Sequence, residues 1–226
     1  MDEYNPLDYD NLTRNCVLEL MQRGPFSLPL DATDKPKGAG VYALFYHGSD
    51  PMYARVSCGR DSTWPIYVGK AVLPGARKGG EKGTGATSLY GRIHEHTKSI
   101  EAAENLELKD FSCRYLVVTP LWITMAERFL ITHFQPVWNV CIEGFGNHDP
   151  GSRRQNGLIS WWDALHRGRA WGKKLSQART EADAIGKLTA FMSTYQVKDL
   201  KEVLARTAAD ANLSHLPPSG DEDDET

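Results

Sequence analysis

Six side chains of this sequence have types and spacings that suit chemistry on an anionic substrate. Tyr42 and Tyr67 sit in two short runs rich in aromatic and β-branched residues, GVYALFY and WPIYVGKA. Arg92 and His96 stand four residues apart in GRIHEH, a spacing that puts both on one face of a helix. Glu127 interrupts the apolar run TMAERFL, and Asn139 follows in PVWN. A guanidinium is a planar, permanently charged fork that matches phosphate oxygens. A carboxylate holds a hard cation through oxygen. An imidazole, with an ordinary pKa of about 6.5, accepts or orients a proton near neutrality.

The elements that must position these groups follow from periodicity and punctuation. Apolar residues at Leu12, Cys16, Leu20 and Met21 predict an amphipathic helix over 11–23, ended by Gly24-Pro25. GVYALFY and WPIYVGKA read as antiparallel strands of one hairpin, and the long connection from Gly48 to Thr63 implies a decorated one. Residues 73–87 hold five glycines among basic side chains and read as a loop. Ser88 caps a helix running through LYGRIHEHTKSIEAAENL. FSCRYLVVT is the third strand, and PLWITMAERFLITHF, with Pro120 in its first turn and Pro136 as its stop, is the second core helix. A Gly-rich loop then leads to LISWWDALHRGRAWGKK, and two short helices are expected around 180–192 and 196–207. The fold class is α/β (α+β): a small antiparallel three-stranded sheet flanked by helices, with N- and C-terminal helical extensions.

Composition bounds the function. At 226 residues, with 41% hydrophobic and 24% charged residues, the chain suits one globular domain, expected over 1–218 with its core at about 38–140. No apolar run reaches membrane-spanning length and the start MDEYNPLDYD lacks the pattern of a signal peptide, so a cytoplasmic protein is expected. Cys16, Cys58, Cys113 and Cys141 are scattered without a CxxC pair, which predicts free thiols rather than a zinc site. The formal charge of −3 is misleading for a nucleic-acid partner, because the tail 219–226, expected to be disordered, holds five acids; without them the rest of the chain stands at +2. Residues 70–98 carry six Lys/Arg against two acids, and 151–175 carry six against one. Two basic blocks on a nearly neutral body predict a localised phosphate-binding face.

GVY at 40–42 followed by YVG at 67–69 resembles the paired tripeptides that name the GIY-YIG nucleases, with valine at both central positions. The resemblance continues through Arg92 on the next helix, Glu127 on the helix after the third strand, and Asn139 at the close of the core. His96 is characteristic of the restriction-enzyme branch. The compact anatomy also resembles its short type II members, some of which cut the palindrome CCGCGG. Taken alone, each residue has a plainer reading: a packed strand tyrosine, a solvated helix charge, a turn asparagine. Their joint order on a β-β-α-β-α pattern is what carries the resemblance.

The resemblance implies a DNA endonuclease that hydrolyses phosphodiesters with one Mg²⁺ ion. Glu127, the one acid of the matched motif, would hold that metal. Arg92 would neutralise a phosphate oxygen, and Tyr42 would take the proton of the attacking water. A free phenol of pKa about 10 is ionised in only about one molecule in a thousand at neutral pH, so Tyr42 needs help. His96 would accept or orient its proton while Arg92 and the metal favour the phenolate. Tyr67 would bond the scissile phosphate, Asn139 would fix Tyr42 or the local backbone, and Lys70 is a candidate phosphate contact.

For DNA reading the candidates are Arg77, Lys78 and Lys82 in the loop, and Arg153, Arg154, Arg167, Arg169, Lys173 and Lys174 in the later block. Trp161, Trp162 and Trp171 are expected to be packing anchors rather than base-stacking platforms. A palindromic duplex site implies a two-fold homodimer, and a cognate methyltransferase is expected genetically without a stable complex. A structure-selective repair nuclease is the rival enzyme reading. A non-catalytic DNA-binding module is the rival of another class, but it would be expected to have lost Arg92 or Glu127, and both are present.

Overall fold

A computed structural model of the chain describes residues 7–57, 63–73, 88–149 and 157–197. Its sheet is organised around one strand, β2 (Gly40–Tyr46), which is buried at all seven positions. A strand loses its polar alternation in this way when helices cover both faces and neighbours pair with both edges. β2 pairs antiparallel with β3 (Tyr67–Ala71) on one side and with β4 (Phe111–Val117) on the other. These are the three expected strands. A two-residue strand, β1 (Phe26–Ser27), extends the sheet beyond β4, giving the order β1-β4-β2-β3.

The helices fall on the two sides of the sheet. α1 (Tyr9–Met21) is capped by the Asp8 carboxylate, which accepts from the Tyr9 N–H at 2.7 Å, and it buries Thr13, Val17 and Leu20. The buried stripe is rotated from the predicted one, so Cys16 and Met21 flank the core rather than centre it. α2 (Ser88–Ala102) buries Leu89, Ile93, His96 and Ile100 and packs on the face that carries Tyr42. It stops at Ala102, short of the predicted Leu106, because the following residues are drawn onto the C-terminal segment. There the Glu104 N–H donates to Arg167 O at 2.7 Å and the Asn105 amide donates to Leu165 O at 3.1 Å. α3 (Ile123–Phe134) follows a 3-10 turn at Pro120–Trp122 and packs against α1, β2 and β3. A four-residue helix, α4 (Val137–Val140), comes after Pro136.

The C-terminal extension is built into the core. α5 (Trp161–Leu165) buries Trp162, whose ring lies 5.7 Å from Trp138 and 5.1 Å from Phe145. α6 (Glu181–Thr194) is started by a capping box between Thr180 and Asp183 and leads to Tyr195, whose hydroxyl accepts from Trp64 Nε1 at 2.8 Å. Of the helix expected at 196–207, residues 198–207 lie outside the described residues, as do Cys58 and the tail. Cys16, Cys113 and Cys141 are free thiols, as expected. No helix among the described residues is long and apolar enough to cross a membrane.

The decorated hairpin has a structural role. Its 3-10 turn (Pro51–Tyr53) sends Tyr53 into the core, where a chain of hydrogen bonds satisfies every polar tip. Trp138 Nε1 donates to the Tyr53 hydroxyl at 3.0 Å, Tyr53 pairs with His166 Nε2 at 2.6 Å, and His166 Nδ1 pairs with Asn105 Oδ1 at 2.9 Å. Burial, aided by the Arg169 charge, pushes the His166 pKa down to about 3. The unfolded chain therefore takes up a proton that the folded one refuses, so the stability from neutral His166 is full above pH 6.5 and is lost as pH falls toward 3. Between about pH 6.5 and 5, urea unfolding should show stability falling by up to about 1.4 kcal/mol per pH unit for such a histidine. His166→Gln should remove that share of the slope, whatever it does to absolute stability, and an unchanged slope would contradict a neutral buried imidazole.

Candidate active site

The register of β2 and β3 sets the site. Tyr42 lies across from Gly69, and its phenol passes over that residue so closely that a Cβ there would come within 2.4 Å of the hydroxyl. Glycine is required at 69 because the tyrosine occupies the space. The Tyr42 hydroxyl, fully buried, meets His96 Nε2 from α2 at 2.6 Å. His96 has its pKa pushed well below the usual value, first by burial and then by the charges of Arg92, Arg169 and His148. A neutral imidazole carries one N–H; as the Nδ1–H tautomer His96 presents Nε2 as the acceptor, and Tyr42 then donates to it. Burial raises the Tyr42 pKa well above the ordinary phenol value, Tyr67 adds to the rise, and Arg92 opposes it. The resting pair is neutral phenol against neutral imidazole.

Tyr67, two residues before Gly69 on the same face of β3, is nearly buried. Burial raises its pKa, the Arg92 charge lowers it and Glu127 raises it, so its phenol lies within electrostatic reach of both. Its hydroxyl stands 2.6 Å from where a Cβ on Gly146 would be, so a larger residue there would have to displace the phenol. Of the two roles expected for Asn139, the structure shows the one on the local backbone. Its side-chain amide takes both backbone groups of Val68, accepting from the N–H and donating to the carbonyl at 2.8 Å each. The Trp138 N–H donates to Ile66 O at 3.0 Å just before it. α4 thus stands in for a missing strand along the free edge of β3 and holds Tyr67 in place.

Arg92, 18% exposed, is engaged by groups that sequence reading had not singled out. It donates to the Gly146 carbonyl, to Glu95 at 2.6 Å and to His148 at 2.9 Å. Phe145 stacks on His96 with centroids 4.4 Å apart and meets Tyr67 edge-on at 4.9 Å. The segment GFGN was legible only as a Gly-rich loop; the available signal was an aromatic residue between two glycines, the first of them five residues after Asn139. Glu127 reaches across from α3 to Lys70, 2.6 Å away. Lys70 alternates with Tyr67 and Gly69 along β3, so this ion pair lies on the opposite face of a thin edge strand from the phenols. Both partners are partly exposed, at 21% for Glu127 and 32% for Lys70.

Among the described residues no group of three His, Cys, Asp or Glu side chains could hold a metal. A single carboxylate at a solvent-facing rim, already attracting a cation in Lys70, fits an ion that keeps most of its water. A cleft of about 300 Å³ opens beside the site, bordered by Arg92, Glu95, His96, Phe145, His148 and Trp171.

The basic candidates divide. Arg77, Lys78, Lys82, Arg153 and Arg154 lie outside the described residues. Arg167, Lys173 and Lys174 are exposed. Arg169 corrects the expectation of a DNA contact: it is 3% exposed, with its charge on Asp163 at 2.6 Å. Trp162 is fully buried, and Trp161 lies under Arg179 and Lys187 at 4.6 and 4.9 Å, so both act in packing.

No curated protein matches the chain. The model of the Eco29kI GIY-YIG domain matches residues 34–192, which takes in every described element from β2 to the greater part of α6. That match covers well over half of the sequence and contains Tyr42, Tyr67, Arg92, His96, Glu127 and Asn139. The chain therefore belongs to the Eco29kI GIY-YIG domain family of restriction endonucleases.

Proposed function

We propose that this protein is a type II restriction endonuclease that makes Mg²⁺-dependent double-strand cuts at a short palindromic site, CCGCGG by the family likeness, as a homodimer. The observation that carries the reading is the buried 2.6 Å contact between Tyr42 and His96, with Tyr67 and Arg92 around it and the Glu127 carboxylate of α3 within electrostatic reach of Tyr67. Hydrolysis of a phosphodiester needs a water relieved of a proton, neutralised non-bridging oxygens and a stabilised 3′ leaving oxygen.

Tyr42 takes the proton of the attacking water on its hydroxyl oxygen while its own proton passes to His96 Nε2. The oxygen of that water forms the new bond to phosphorus as the bond to the 3′ oxygen breaks. Burial opposes charge on both Tyr42 and His96. The negative phosphate beside them offsets that opposition by favouring the imidazolium. Arg92 turns from Gly146 and Glu95 to a phosphate oxygen, and Tyr67 donates its hydroxyl to another. Asn139 keeps β3, and with it Tyr67, at a fixed height. Glu127 would hold Mg²⁺ in place of the Lys70 ammonium, leaving Lys70 free to meet the DNA backbone. When bound, the ion supplies charge neutralisation at the phosphate and the leaving oxygen.

Glu127→Gln should abolish cleavage, by at least about 10³-fold in single-turnover rate, while leaving DNA affinity in Ca²⁺ nearly unchanged. Full nicking activity in that variant removes Glu127 as the metal ligand. Tyr42→Phe should lower the single-turnover rate at saturating DNA by about 10²- to 10⁴-fold, the range for a lost general base. A change of only about twofold excludes Tyr42 from that role. Digestion of plasmid DNA in Mg²⁺ tests the whole reading: discrete bands whose sequenced ends share a palindrome support it, and cutting confined to branched or damaged DNA refutes it.

A further inference from the structure

Arg169 has a partner at each of its three nitrogens, and those partners lead to the candidate active site. Its Nε donates to Asp163 Oδ1 at 2.6 Å, Nη1 to Phe145 O and Nη2 to Gly144 O, both at 3.0 Å. The guanidinium is sandwiched between the rings of Trp162 and Trp171, at 4.4 and 4.7 Å. Asp163 is itself fixed, because its second oxygen accepts from Ser160 Oγ at 2.8 Å. The Trp162 N–H donates to Glu143 O at 3.0 Å, so the start of α5 is tied to the same turn. The held residues are those that touch the reacting groups: Phe145 stacks on His96 and meets Tyr67, and the next carbonyl, Gly146 O, accepts from Arg92.

We propose that Arg169 is a positioning residue: from the C-terminal extension it clamps the turn at Gly144 and Phe145, and through that turn it fixes His96, Tyr67 and the resting orientation of Arg92. This rests on the nuclease reading above only for its consequence on rate; the clamp itself is a matter of the fold. Three donors in one plane serve one carboxylate and two carbonyls at once, which an ammonium on a flexible stem does not reproduce. The ion pair to Asp163 anchors the fork, and the two carbonyl bonds aim it.

Arg169→Lys, in the full chain, keeps a cation for Asp163 and gives up the fork. Without DNA, amide exchange across 144–149 should quicken by about tenfold or more while exchange in the β2–β4 ladder stays near wild type. With duplex DNA and Mg²⁺, the single-turnover rate should fall by about 10²-fold, the effect of a small misplacement of reacting groups, while affinity measured in Ca²⁺ changes by less than about twofold. Should Arg169→Lys fail to fold, Phe145→Leu carries the same test, since it leaves the clamp and removes the ring on His96; its rate should fall with affinity intact. Unchanged exchange in Arg169→Lys, or a wild-type rate in either folded variant, overturns the proposal. So does weakened binding with a flatter salt dependence in Arg169→Lys, which is the signature of a phosphate contact. If the wild-type protein cuts no DNA, the nuclease reading fails, and the exchange measurement still decides the clamp.

Discussion

The constraint on which the site depends is the burial of an uncharged phenol against an uncharged imidazole. Tyr42 and His96 come from different elements, and their contact ties α2 to the sheet. The low-dielectric surroundings keep both groups neutral in the free protein, because charge on either is penalised there. Such a pair is quiet until a partner of suitable charge arrives. At Tyr42 the Arg92 charge works against the penalty of burial and Tyr67 adds to it.

The fold contains a second tyrosine–histidine pair with the same 2.6 Å contact, Tyr53 with His166. The two differ in what surrounds them. Tyr53 receives a bond from Trp138, and His166 ends on Asn105, so that chain is closed and apolar rings seal it. Tyr42 has Tyr67 and Arg92 beside it, and Arg92 reaches a cleft. Identical pair chemistry thus gives a structural brace in one place and a candidate reactive centre in the other. The aromatic group Trp138, Phe145 and Trp162 lies between them and joins core and extension into one packed body.

Periodicity made the core visible in advance. GVYALFY, FSCRYLV and the apolar run around Glu127 became β2, β4 and α3 because burial on both faces selects continuous apolar strands and a 3.6-residue helical stripe. β1 was not legible, since two residues carry no pattern and form a strand only because β4 offers them an edge. The site residues of the paired motif were legible by order and spacing. Their partners were not: Glu95, Gly146 and His148 reach Arg92 through tertiary packing, and no local rule connects position 92 with 146. Arg169 shows the limit of charge counting. A basic block predicts a solvated face, yet one member lies inside, where Asp163 and two tryptophan rings take the place of water around the cation.

The strip formed by Trp138 and Asn139 along β3 has a consequence for any chain that would add to the sheet. By occupying the carbonyl of Ile66 and the amide and carbonyl of Val68, it removes that stretch of the template on which a further strand would hydrogen-bond. At the far margin β1 offers only a two-residue ribbon. A chain added at the β3 edge therefore finds the backbone groups flanking Tyr67 already taken.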